Sequence, residues 1–186
     1  MKIRVVTHNK HKYDEYKLLF ENENVETEWI NMEYVEIQDN DIENIALYSL
    51  NILKDNVEEP YIMEDSGLFI ESLNGFPGPY SSYVNKTIGN EGILKLMEGK
   101  KNRDAEFIAI IGLRINGENY LFKGKTEGII SSKISGNKGF GYDPIFIPKE
   151  QNKTFAEMEI YEKNMYSHRM KAFKNLIRFL QENNFL

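Results

Sequence analysis

KIRVVTHNKHKYDEYKLLF, residues 2–20, begins with a short apolar run over 2–7 and then changes period. From residue 9 to residue 20 the large side chains Tyr13, Tyr16, Leu19 and Phe20 recur at helical spacing, so a strand passes directly into a helix. The same alternation continues downstream. Residues 26–30 read as a second strand. Residues 42–53 carry Ile42, Ile45, Ala46, Ser49, Leu50 and Leu53 on one helical face, with Asp41 or Asn40 as the cap. A third strand is predicted over 61–64. Gly75, Pro77, Gly78 and Pro79 then break the chain, and residues 89–97 read as a short helix. Residues 105–113 and 119–130 read as two long strands joined around Asn116 and Gly117, a hairpin signal. Phe173, Leu176, Ile177 and Leu180 define a last helix, with Ser167 at its N-cap. The order βαβαβ, hairpin, helix predicts an α/β domain with a mixed sheet.

The 186 residues are enough for one domain with a full core, and residues 1–186 are expected to form one. Hydrophobic residues at 41% and charged residues at 28% are ordinary globular values, which argues against disorder or a fibrous repeat. The longest apolar runs, such as Ile108 to Ile111, fall far short of the roughly 20 residues that cross a bilayer, so no membrane span is expected. MKIRVVTHNK enters a β-like run without a secretory apolar region, which points to the cytoplasm. Without cysteine there is neither a disulfide nor a thiolate metal site. The NKT triplets at Asn85 and Asn152 are accordingly not expected to carry glycans. A net charge of -6 disfavours nucleic acid, whose binding depends on basic surface, but leaves room for a small anion at a local cluster of lysine and arginine.

Several chemistries can be set aside. Gly124-Lys125-Thr126 lacks the glycine five residues earlier that a Walker loop needs, since Asn119 stands there. Gly136, Gly139 and Gly141 have the wrong order for a dinucleotide fingerprint. His8, His11 and His168 show no HExxH spacing and no triad order. Hard-metal and phosphate chemistry remains. Glu36, together with Glu64 and Asp65 at the end of the third predicted strand, could converge on a magnesium ion, which takes oxygen ligands. Against this, Glu36 lies in a run with Glu33, Asp39, Asp41 and Glu43 that reads equally as a solvated face, and an acid at a strand end also serves as a turn cap. Glu64 and Asp65 point to opposite faces of their strand, so one of them turns away from solvent or into a cleft.

Thr7-His8-Asn9-Lys10-His11-Lys12 forms a β-to-α turn, where helix N-terminal amides and a lysine suit an anion, although any one of these lysines alone reads as plain surface. His168 and Arg169 open the last helix, where an anion or an acceptor-rich base would be welcome. Phe140-Gly141-Tyr142-Asp143 sets two rings around a glycine, either to stack on a base or to pack.

Together these segments resemble the inosine/xanthosine triphosphate pyrophosphatases. Thr7, Asn9, Lys12 and Glu15 match that family's opening motif; Glu64 to Gly67 and Leu73 to Ser81 follow, then Arg103 with Ala105. Gly139 to Pro144, Thr154 to Met158, Glu162-Lys163, Ser167 to Arg169 and Ala172 complete the series, in order over nearly the whole chain. The resemblance implies a long central mixed sheet flanked by helices, two lobes with the active site in the cleft between them, and a homodimer. It implies hydrolysis of a deaminated purine nucleoside triphosphate to monophosphate and pyrophosphate, with magnesium, or alternatively manganese, as cofactor. By the same resemblance Asp65 is the catalytic carboxylate and a metal ligand, and Glu36 is its partner ligand. Thr7, His8, Asn9, Lys10, His11 and Lys12 hold phosphates, while Ser66, Phe140, Gly141, Tyr142, Asp143, Lys163, His168 and Arg169 hold the nucleotide.

Two departures stand out: His8 replaces the family's glycine, and Leu47 or Tyr48 falls where the family carries a helix lysine. Both touch phosphate binding, which keeps open a rival reading as a nucleotide-binding relative with impaired turnover. Discrimination against adenine would follow from donors aimed at the 6-keto oxygen, because an amino group there leaves those donors unpaired.

Overall fold

The computed structural model describes all residues, 1–186, as an α/β protein whose seven strands form one mixed sheet flanked by helices. The strands are β1 (Lys2–Val6), β2 (Glu26–Ile30), β3 (Tyr61–Ile70), β4 (Pro77–Gly78), β5 (Asp104–Ile115), β6 (Glu118–Ile130) and β7 (Phe146–Pro148). The helices are α1 (Lys10–Asn22), α2 (Ile42–Leu53), α3 (Ser81–Thr87), α4 (Gly89–Leu96), α5 (Ile160–Tyr166) and α6 (His168–Glu182). Strand order is β2-β1-β3-β5-β6-β7, with β4 paired to β3. β1 runs parallel to β2 and β3, whereas β3 with β4 and β6 with β7 are antiparallel. No helix is long and apolar enough to cross a membrane.

The chain divides into two compact units. The first comprises residues 1–65, 109–124 and 171–186. Its core takes Ile3, Val5 and Val6 from β1, Tyr16 and Phe20 from α1, Leu50 from α2 and Leu176 from α6, all buried. Phe20 meets Phe173 edge-on, with centroids 4.8 Å apart. The predicted turn at Asn116-Gly117 is present with φ of 52° and 81°, the two positive values that a type I′ hairpin turn requires. The second unit comprises residues 66–108 and 125–170, and its core gathers Leu68, Ile70, Phe107, Tyr142, Phe146 and Phe155.

One predicted boundary is corrected. The third strand does not stop at Glu64 but continues through Asp65, Ser66 and Gly67 to Ile70, so the acid pair lies within a strand and not at its end. Gly67 makes this continuation fit: a Cβ there would overlap the Gly78 carbonyl on the neighbouring strand. Next to it, the Ser81 hydroxyl accepts from the Leu68 amide at 2.8 Å and donates to the Gly78 carbonyl at 2.7 Å. A second correction is smaller. α1 starts at Lys10, with Asn9 as its cap and not its first residue.

Candidate active site

In the first unit, β1 ends at Val6 and the chain turns through Thr7, His8 and Asn9 into α1. Asn9 caps the helix, its Oδ1 accepting from the His11 amide at 3.0 Å and the Lys12 amide at 3.4 Å. Those two N–H groups are therefore already bonded, where the sequence suggested that they face an anion. Lys10 forms an exposed pair with Asp14 at 2.6 Å, four residues along the same helix. His8 is exposed and is not among the residues with positive φ, so replacing a glycine at this turn strains no backbone. Lys12 turns inward and its ammonium donates to the Glu64 carbonyl at 3.2 Å, with the Glu64 carboxylate at 3.4 Å.

The two acids of β3 separate into different roles. Glu64 is buried, with its side chain 2% exposed, and its carboxylate accepts from the Tyr16 hydroxyl and faces Lys12. Asp65 is half-buried. Burial first, and then the negative charges of Glu36, Asp65 and Glu64, push the Tyr34 phenol up. Glu36 is exposed. No group of three or more histidine, aspartate or glutamate side chains forms a closed metal cage. Glu36 and Asp65 carry the hard carboxylate oxygens that a magnesium-type ion takes as ligands.

In the second unit, Gly139 to Asp143 form a tight loop. Asp143 folds back so that its Oδ2 accepts from the Phe140 amide at 2.9 Å. Gly139, at φ 71°, makes room for this, because a Cβ there would overlap that same oxygen. The carboxylate also pairs with the Lys163 ammonium at 2.9 Å. Lys163 lies 5.2 Å from the centroid of the Phe140 ring and 5.8 Å from that of Phe155. The Arg169 guanidinium lies 5.4 Å from the Phe140 ring. His168 stacks on Phe107, centroids 4.6 Å apart and planes 10° apart. Lys163, His168 and Arg169 are all buried, and Lys163 and Arg169 stand beside the half-buried Phe140 ring.

The two rings of the loop differ in fate. Tyr142 is core: burial pushes its phenol up, and its hydroxyl donates to the Ser81 carbonyl at 2.9 Å. Phe140 is the ring that stands beside the cations. Ser66 is half-buried on β3, and the predicted cap of α6 is observed, with the Ser167 hydroxyl accepting from the Met170 amide at 3.1 Å.

Sequence reasoning missed Tyr34 and Asn90, and it gave no role to Ser81. Asn90, on α4, donates its amide to the Gly141 carbonyl at 3.0 Å and holds the loop from outside. Asn90→Asp keeps the shape and removes that donor. It should lower kcat/KM about three- to tenfold, the scale of one hydrogen bond, and Asn90→Ala should do no worse. Steady-state kinetics of both variants checks this, since a packing role would spare Asp and penalise Ala.

The sequence matches the model of the Ham1 family over residues 3–179. A dITP/XTP pyrophosphatase of Pyrococcus horikoshii is 51% identical over 183 residues, covering 98% of this chain and 98% of that protein. One from Methanopyrus kandleri is 46% identical over 184 residues, with the same coverage of both chains. Among solved structures, a HAM1 protein from Coxiella burnetii superposes with a TM-score of 0.84 at 28% identity, covering 98% of this chain and 99% of that one.

Proposed function

The chain belongs to the Ham1 family, and from that premise we propose that it hydrolyses deaminated purine nucleoside triphosphates, such as those of inosine and xanthine, to the monophosphate and pyrophosphate. What supports the reading most is identity of 46% and 51% with dITP/XTP pyrophosphatases over 98% of the chain. On β3, Glu64 is engaged by Lys12 and Tyr16, and the half-buried Asp65 follows it on the opposite face.

In this reading Glu36 and Asp65 hold a divalent metal, magnesium by the hardness of their oxygens. An ion held there would supply the charge withdrawal that makes the phosphorus open to attack. Asp65 orients the attacking water and takes its proton. The turn from Thr7 to Lys12 holds the polyphosphate: Lys12 contributes its charge, and His8, exposed at the turn, supplies a side chain in place of a close backbone approach. Phe140 stacks on the base, and Lys163, His168 and Arg169 supply donors for the 6-keto oxygen. Ser66, Gly141, Tyr142 and Asp143 shape that pocket. Adenine places an amino group against those donors and leaves them unpaired, which costs far more than a lost contact. Residues 1–186 act as one catalytic domain. By family resemblance the working form is a homodimer in the cytoplasm, acting on free nucleotides and not on nucleic acid.

The test is a panel of nucleoside triphosphates incubated with magnesium and resolved by product. Inosine and xanthosine triphosphates should give monophosphate and pyrophosphate well ahead of adenosine triphosphate. Release of nucleoside diphosphate and orthophosphate would reject the reaction. Equal rates on adenosine triphosphate would reject the base preference alone. Tight binding without turnover would favour a binding protein.

A further inference from the structure

Trp29 is the sole tryptophan of the chain. It lies on β2, in register with Val5 of β1, and it is half-buried. Its indole Nε1–H donates to the Thr7 carbonyl at 2.7 Å. Its ring lies flat against Tyr13 of α1, with centroids 5.2 Å apart and planes 11° apart. Three further bonds converge on the same turn. The Thr7 amide donates to the Ile30 carbonyl at 3.1 Å, the Asn9 amide to the Thr7 hydroxyl at 3.1 Å, and the Tyr13 amide to the Asn9 carbonyl at 3.1 Å. The turn between β1 and α1 is thus gripped from one side by β2 through Trp29 and Ile30, and from the other by the first turn of α1.

An indole N–H only donates, so its contribution here is to fix where the Thr7 carbonyl points. That carbonyl begins the peptide leading into His8, and its direction sets where the next amide and side chain face. A turn holding a charged polyphosphate gains from being fixed beforehand, because ordering it on binding would reduce affinity.

We propose that Trp29 is a positioning residue for a polyphosphate ligand, fixing the Thr7–Lys12 turn and sensing its occupation through the bond to Thr7. The proposal rests on the reading that this turn holds the triphosphate of the substrate. Trp29→Phe keeps an aromatic ring for Tyr13 and removes only the indole and its N–H.

The probe is magnesium tripolyphosphate, which carries the phosphate chain without a base. Titrated into the wild-type protein, it should change the emission of Trp29 saturably, and with one indole in the chain the signal has a single source. By calorimetry Trp29→Phe should bind the probe about three- to tenfold more weakly. Its KM for inosine triphosphate should rise by a similar factor, with kcat within about twofold of wild type. A merely structural tryptophan would lower the melting temperature and leave the KM and the probe affinity unchanged, and that result would overturn the proposal. Emission that stays constant while calorimetry records binding would overturn it as well. If tripolyphosphate does not bind the wild-type protein, the assignment of the turn to phosphate falls, and this proposal falls with it.

Discussion

Asp65→Asn lowers turnover of inosine triphosphate by at least about a hundredfold under saturating magnesium, the scale expected for removing one positioned acid–base group. The substitution conserves shape and removes the carboxylate charge to which the proposed mechanism assigns both metal binding and proton acceptance. The neighbouring acid does not take over. Glu64 has a side chain 2% exposed, bonded to Tyr16 and facing Lys12, and an adjacent residue in a strand points to the opposite face. Measurement of kcat at saturating substrate checks this, and near-normal turnover would remove Asp65 from the catalytic role.

The second large effect concerns the proposed base pocket. Lys163 and Asp143 form an ion pair at 2.9 Å with side chains 4% and 5% exposed. Lys163→Met fills similar volume and removes the ammonium that faces the buried Asp143 carboxylate at 2.9 Å. Breaking a buried pair from one side costs about 3–5 kcal/mol, so denaturant unfolding should show a loss of that size. Replacing both members, Lys163→Met with Asp143→Asn, removes the remaining charge of the pair and keeps an oxygen that can accept from the Phe140 amide. Stability should then return for the most part, whereas kcat/KM for inosine triphosphate should remain low. Recovery of both together would mean that Lys163 serves the fold alone.

Where the sequence carries an uninterrupted apolar period, it announces the structure. Tyr13, Tyr16, Leu19 and Phe20 mark α1, the face from Ile42 to Leu53 marks α2, and Asn116-Gly117 marks the hairpin, because each depends on neighbours within a few residues. The Asp-Ser-Gly of β3 misleads for the opposite reason. Its composition suggests a turn, and what keeps it extended is distant: the pairing of Leu68 with Gly78 and the Ser81 hydroxyl on the Leu68 amide. α5 escapes notice because the residues it buries are Lys163 and Asn164, and a search for apolar spacing passes over polar side chains that face inward.

Composition and spacing mark the candidate site residues as types, and only the family resemblance assigns them roles. Nothing local separates Glu64 from Asp65. The partners that separate them, Lys12 and Tyr16, are 52 and 48 residues away. The same distance effect hides Tyr34, whose relation to the acids rests on where a stretch without regular structure lies.

The central claim is attack of water, activated at Asp65, on the α-phosphorus. Turnover of inosine triphosphate in water enriched with heavy oxygen tests it most directly, with mass analysis of both products. The account predicts one heavy oxygen in inosine monophosphate and none in pyrophosphate. Label in pyrophosphate with an unlabelled monophosphate would mean attack at the β-phosphorus and would contradict it.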